Sequence, residues 1–192
     1  MNFKKLLNLV ASAVMLSTLA ACSQTTATEA PSKNQLTAFG TTENMQGSQA
    51  AALADDAWLL SSQSQGLQLI DVTGKQHALQ KGNFEALSVK AIDKNSYLVA
   101  SIDNEADQAV IFSLQKAAKW QLTEISRISP PKAKPEAVCL FANLTTQAVS
   151  AFVADARGLI RESLVFDMAS KRALNLELRE FAGVSETSGC AV

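Results

Sequence analysis

From Ala51 onward the chain is written as short apolar runs, each closed by turn-forming residues. Trp58–Ser62 and the alternating stretch Leu67–Asp71 flank a turn at Gly66, and Val72-Thr73-Gly74-Lys75 closes that pair. Phe84–Ile92 alternates and stops at the turn cluster Asp93-Lys94-Asn95-Ser96. Tyr97–Ser101 and Ala109–Leu114 are continuous enough in apolar character to be strands buried on both faces. Trp120–Ile125 alternates and ends ahead of Ser129-Pro130-Pro131, where strand pairing must stop. Ala137–Phe141, Ala148–Ala154, Leu159–Phe166 and Leu174–Phe181 complete the series. No stretch sustains a 3.6-residue apolar period over three turns, so helix is disfavoured throughout. Roughly ten short strands, spaced by roughly 8–15 residues, predict an all-β domain, either a sandwich or a propeller. Their grouping as consecutive meanders favours a partial β-propeller of about two to three four-stranded antiparallel blades, fewer than a closed ring contains. Gly189-Cys190-Ala191-Val192 reads as the start of a further strand, so the sequence is expected to hold an incomplete or truncated propeller.

The first fifty residues follow a different rule. Lys4 and Lys5 precede an apolar run, Leu6–Ala21, interrupted only by Asn8, Ser12, Ser17 and Thr18. A short basic region, an apolar region and small residues make an export signal. Leu19-Ala20-Ala21-Cys22 is similar to a bacterial lipobox, which would make residues 1–21 a cleaved signal peptide and Cys22 the acylated N-terminus. Ser23, with no acidic residue after the cysteine, points by analogy to the outer membrane of a Gram-negative cell. Several acyl chains on one cysteine anchor stably. Residues 22–50 are rich in Ser, Thr, Gln, Ala and Asn and read as an unstructured tether, leaving residues 51–192 as the domain.

Composition narrows the function classes. Two of the 17 basic residues and none of the 18 acidic ones lie in residues 1–21, so the remaining chain carries −3. A weakly acidic body without a basic run argues against nucleic acid as a partner. Three cysteines and one histidine exclude a zinc cluster or haem site built from these residues alone.

The order of several segments resembles the β-propeller phytases. Gly66-Leu67-Gln68-Leu69-Ile70-Asp71-Val72-Thr73-Gly74-Lys75 is similar to their Gly-Leu-x-Val-Tyr-Asp-Leu-x-Gly-Lys strand and turn. Gly82–Lys90 resembles Gly-Arg-Leu-Asn-Asn-Val-Asp-Val-Arg, and Pro135–Phe141 resembles Pro-Tyr-Gly-x-Cys-Leu-Tyr. Ala151-Phe152-Val153 with Gly158 follows, and Arg179-Glu180-Phe181 through Ser188–Val192 resembles Arg-x-Phe…Glu-Gly-Cys-Val. The likeness spans about residues 52–192. It implies hydrolysis of inositol phosphates, with calcium held by acidic residues and phosphate by Lys, Arg and Tyr.

The departures from that pattern fall on the chemistry. The opening Asp-Asp-Pro-Ala-x-Trp has no secure counterpart, because Asp55-Asp56-Ala57-Trp58 lies too near the next strand. Ser62-Gln63-Ser64-Gln65 stands where the family has lysine before Gly-Leu. Asp103 replaces an arginine, Glu136 a tyrosine and Ser188 a calcium-binding glutamate. The resemblance is therefore closest to the incomplete N-terminal domain of dual-domain phytases. Such a domain implies no catalytic, cofactor-binding or metal residues in this chain, and an accessory role beside a catalytic phytase domain or an inositol phosphate. A non-catalytic envelope scaffold is the alternative.

Other residues carry weaker signals. Cys139 and Cys190 lie on two recognisable strands of an exported protein, where thiols oxidise, and are expected to form a disulfide across 51 residues, contributing about 2–4 kcal/mol. Two buried thiols, or a nucleophilic cysteine served by His77, are the competing readings. His77 is placed in the turn after Gly74-Lys75, solvated. Asp103-Asn104-Glu105-Ala106-Asp107 is expected to be a solvated turn before it is a calcium loop. Trp58 and Trp120 are read as core. Lys132-Ala133-Lys134, among Pro130, Pro131 and Pro135, is expected to be a stiff exposed loop able to meet an anion.

Overall fold

The computed structural model describes residues 49–53 and 57–183. The signal segment, Cys22, the tether up to residue 48, Asp55-Asp56, Ser188 and Cys190 lie outside them. Twelve strands form three four-stranded antiparallel sheets, and no helix occurs among the described residues. The first blade holds β1 (Gln49–Ala52), β2 (Trp58–Ser62), β3 (Gly66–Ile70) and β4 (Gln76–Gln80). β5 (Phe84–Asp93), β6 (Ser96–Asp103), β7 (Gln108–Lys116) and β8 (Trp120–Ile128) form the second. β9 (Pro135–Asn143), β10 (Ala148–Asp155), β11 (Leu159–Asp167) and β12 (Arg172–Ala182) form the third. Each sheet is a simple meander with its strands in chain order, the all-β, partial-propeller arrangement that the run spacing predicts.

The second blade is buried from both sides, which explains its uninterrupted apolar runs. Side chains alternate across a strand, so successive residues of β6 enter different cores. Tyr97 and Val99 face the first blade with Val110, Phe112 and Leu114, against Leu59, Leu67 and Leu69. Leu98, Ala100 and Ile102 face the third blade with Ala109 and Ile111, against Val138, Leu140, Val149, Ala151 and Val153. Each fully buried Leu, Val or Phe contributes about 1.5–3 kcal/mol. Phe84 and Phe112 meet edge to face at 5.9 Å within the first of these cores.

The first strands of successive blades are also joined by hydrogen bonds. The Leu87 amide in β5 donates to Gln49 Oε1 in β1 at 2.9 Å. The Leu140 amide in β9 donates to Ser88 Oγ in β5 at 3.0 Å. Gln49 and Ala50 therefore belong to a strand rather than to the tether, and with Ala51 and Ala52 they pair with β2.

Two further expectations are corrected. β4 was not anticipated, because Gln-His-Ala-Leu-Gln offers an edge strand too little apolar surface to announce itself; it places His77 in a strand, not a turn. Trp58 is 39% exposed, whereas Trp120 lies against Tyr97 with ring centroids 6.1 Å apart.

Gly66 and Gly74 both have positive φ, at 83° and 78°, but differ in their surroundings. A Cβ at Gly66 would sit 2.0 Å from the Gln80 carbonyl oxygen, while one at Gly74 would meet nothing within 4 Å. Gly74→Ala is expected to cost about 1–2 kcal/mol from backbone strain alone. Gly66→Ala should cost distinctly more, because the β3–β4 pairing must shift; urea unfolding of the two variants compares them directly.

Candidate functional site

Six of the strand-to-strand turns share one device. A strand ends on Asp or Asn, whose side-chain oxygen accepts the backbone N–H two residues on, closing an Asx turn. Asp71 receives Thr73, Asp93 receives Asn95, and Asp103 receives Glu105, at 2.9, 2.9 and 3.1 Å. Asn143 receives Thr145, Asp155 receives Arg157, and Asp167 receives Ala169, at 3.0, 2.9 and 2.9 Å. Much of the acidic complement is thus committed to turn geometry before any ligand is considered.

One rim carries the β2–β3, β6–β7, β8–β9 and β10–β11 turns. Its central carboxylate is Glu85, aimed there by a bulge. Ala86 adopts φ 52°, and the β5–β6 register slips between Glu85 and Leu87. The buried Ser101 hydroxyl stands against the two carbonyls at the bulge, Glu85 O at 2.9 Å and Ala86 O at 2.7 Å. Glu85 then accepts Gln63 Nε2 on one oxygen and Asn104 Nδ2 at 2.9 Å on the other. Asn104 Nδ2 also lies 3.1 Å from Asn83 Oδ1, which ties the β4–β5 connection to the β6–β7 turn.

Several other charges on this rim are paired. Arg127 bridges Glu124 and Asp103 at 2.8 and 2.9 Å, and these two acids raise its pKa, Glu124 more strongly. Half-exposed pairs of this kind are screened and worth under about 1 kcal/mol each. Lys134 reaches Asp107 at 3.3 Å, and Arg161 reaches Glu180, Glu177 and the Ser129 carbonyl. Asp103–Asp107 is therefore a capped turn, with Asp107 at φ 51°, as the solvated-turn reading expects. Lys132 and Lys134 are exposed, and the loop that carries them is fixed through the Lys132 and Ala133 amides, which donate to Asp155 Oδ2 at 3.0 and 3.1 Å.

Asp155 is fully buried and serves as the anchor of this rim. Burial raises its pKa, but four backbone N–H donors, from Leu159, Lys132, Arg157 and Ala133, outweigh that and leave it below the usual carboxylate range. His77 is not simply solvated: its Nε2 lies 2.8 Å from Asp71 Oδ2. The Thr73 hydroxyl, then His77, hold the Asp71 carboxyl well below its ordinary value. No cysteine faces this pair among the described residues, since Cys139 lies in β9 and is disulfide-bonded. Gln63 and Asp103 are held in the network above, and Glu136 is exposed on β9.

Nothing in this donor set fits a calcium centre. Calcium needs several oxygens free to converge, and those of Glu85, Asp103 and Asp155 already accept protein N–H groups. Among the described residues no three His, Cys, Asp or Glu side chains gather in a metal-binding group. At the opposite rim a cavity of about 230 Å³ lies between the second and third blades, bordered by Asp93, Ser96, Tyr97, Gln115 and Lys171. At its border Lys171 Nζ reaches Asp93 Oδ2 at 3.2 Å, and its volume is below that of ordinary ligand pockets, about 300–1,000 Å³.

No family model matches the chain, and no curated protein matches it.

Asp155→Asn replaces an acceptor of four N–H groups by an amide with one acceptor oxygen, and should cost about 1–3 kcal/mol near neutral pH. Because the folded-state pKa is lowered, the carboxylate's contribution is complete above the unfolded value of about 3.9 and fades as pH falls through the lower folded value. Chemical unfolding of both proteins between pH 7 and pH 2.5 should show the gap narrowing at the acid end.

Proposed function

We propose that this chain is a lipid-anchored accessory domain of phytase-like ancestry, non-catalytic by itself, that sits in the bacterial cell envelope. The single observation that supports the non-catalytic reading is the occupation of the rim. Glu85, Asp103, Asp107 and Asp155 each accept hydrogen bonds or ion pairs from within the domain. Hydrolysis of a phosphate monoester in the family manner needs carboxylates converging on calcium and cations converging on phosphate. Here the cations Arg127, Lys134 and Arg161 instead neutralise neighbouring acids. The fold class is compatible with the family, and the ordered sequence motifs are what select it from other propellers. The Leu19-Ala20-Ala21-Cys22 motif supports anchoring at Cys22, with the domain held at the outer membrane near a catalytic phytase chain or its inositol phosphate substrate.

Incubation of the mature chain with calcium and phytate should release no phosphate above the blank; sustained release would overturn the non-catalytic reading. Titration calorimetry with inositol hexakisphosphate, and separately with a catalytic phytase chain, should give heat with one of them if the role is accessory. Silence with both would leave a scaffold.

The anchor has its own test. Cys22→Ala should abolish incorporation of labelled fatty acid and move the protein out of the membrane fraction.

A further inference from the structure

At the rim of the β5–β6 and β11–β12 turns, the core between the second and third blades ends in a cavity of about 230 Å³. Ile92, Ile125 and Phe166 border it from the margin of that core, and Leu98 and Ala173 complete an apolar lining. Polar groups come from elsewhere in the fold, Ser113 and Gln115 from β7 and Lys171 from the β11–β12 turn. The volume excludes a drug-sized ligand, but an apolar cavity of about 150 Å³ already takes up benzene. A single small ring or a short branched chain is the size that fits.

The acid at this cavity is engaged, whereas most of its donors are not. Asp93 accepts the Asn95 amide at 2.9 Å, the Ser96 hydroxyl and Lys171 Nζ at 3.2 Å, and these bonds lower its pKa. Of the three N–H donors of Lys171, one reaches Asp93. The Ser113 hydroxyl and the Gln115 amide are engaged by no other group among the described residues. A surplus of donors beside an apolar lining selects acceptor oxygens on an apolar body, and a carboxylate also uses the lysine charge. Lys171 is 69% exposed, so its pair with Asp93 is weak and leaves the ammonium able to turn to a ligand.

We infer that this cavity is a binding site for a small organic monocarboxylate. The apolar body packs against Leu98, Ile125 and Phe166, and the carboxylate accepts from Lys171, with Ser113 and Gln115 as further donors. Asp93 does not repel it decisively, because the Asn95, Ser96 and Lys171 donors already hold that charge. The inference does not depend on the phytase-like reading.

Benzoate is the probe, since it joins a benzene ring to a single carboxylate. Titrated into the isotope-labelled full chain at millimolar concentration, it should shift the Ser96, Leu98, Ser113 and Ala173 amide resonances saturably, while those of the first blade stay in place. Benzyl alcohol, which has the same ring and no charge, should bind roughly tenfold more weakly. Lys171→Met keeps the aliphatic stem and removes the charge; it should weaken benzoate by roughly the same factor and leave benzyl alcohol unchanged. Ala173→Leu fills the cavity and should abolish binding of both, with a dispersed amide spectrum to show that the variant is folded. Absence of saturable shifts at the four cavity amides overturns the inference. So does equal affinity for the two probes, or benzoate binding that Lys171→Met leaves intact.

Discussion

Burial of the second blade from both sides is the constraint on which this domain depends. A four-stranded antiparallel sheet alone has two faces and can shield neither. Here β6 and β7 serve as the shared wall of two cores, so the first and third blades are each stable only because the second is present. The hydrogen bonds from Gln49 to Leu87 and from Ser88 to Leu140 add direction to what packing alone would leave free to slide. Apolar contact sets how closely the sheets approach, and these two polar contacts set their relative height.

The same economy governs charge. In a chain with nearly balanced acids and bases, several acids at strand ends close turns, and Arg127, Lys134, Arg161, Lys171 and Arg179 pair with neighbouring acids. Asp155 is the extreme case, because one carboxylate holds two loops through four amides. A rim organised in this manner is rigid and electrically quiet.

Legibility in the sequence followed burial. Tyr97–Ser101 and Ala109–Leu114 were recognisable because both faces of those strands are apolar, and Phe84–Ile92 because one side alternates with the other. β1 and β4 were not, since edge strands built from Gln, Ala and His carry no alternation, and their pairing depends on neighbours rather than on their own side chains. Trp58 misled for a related reason: an aromatic at a strand start is a poor guide to depth when the strand's end reaches solvent. At the rim, Asp103–Asp107 was legible as a turn from its composition. The Gln63–Glu85–Asn104 cluster was not, because it exists only through the bulge at Ala86, and no local pattern marks an alanine with positive φ. Ser101, the hydroxyl set against that bulge, looks in sequence like an ordinary polar residue in a buried strand.

The brevity of β1 has a consequence for solubility. It is four residues long, mostly exposed, and covers the free edge of β2, whose Trp-Leu-Leu run is otherwise a ready template for intermolecular pairing. Whenever β1 peels away, that edge is bared while the rest of the blade stays folded. Loss of β1 would therefore favour self-association without disturbing a single core residue.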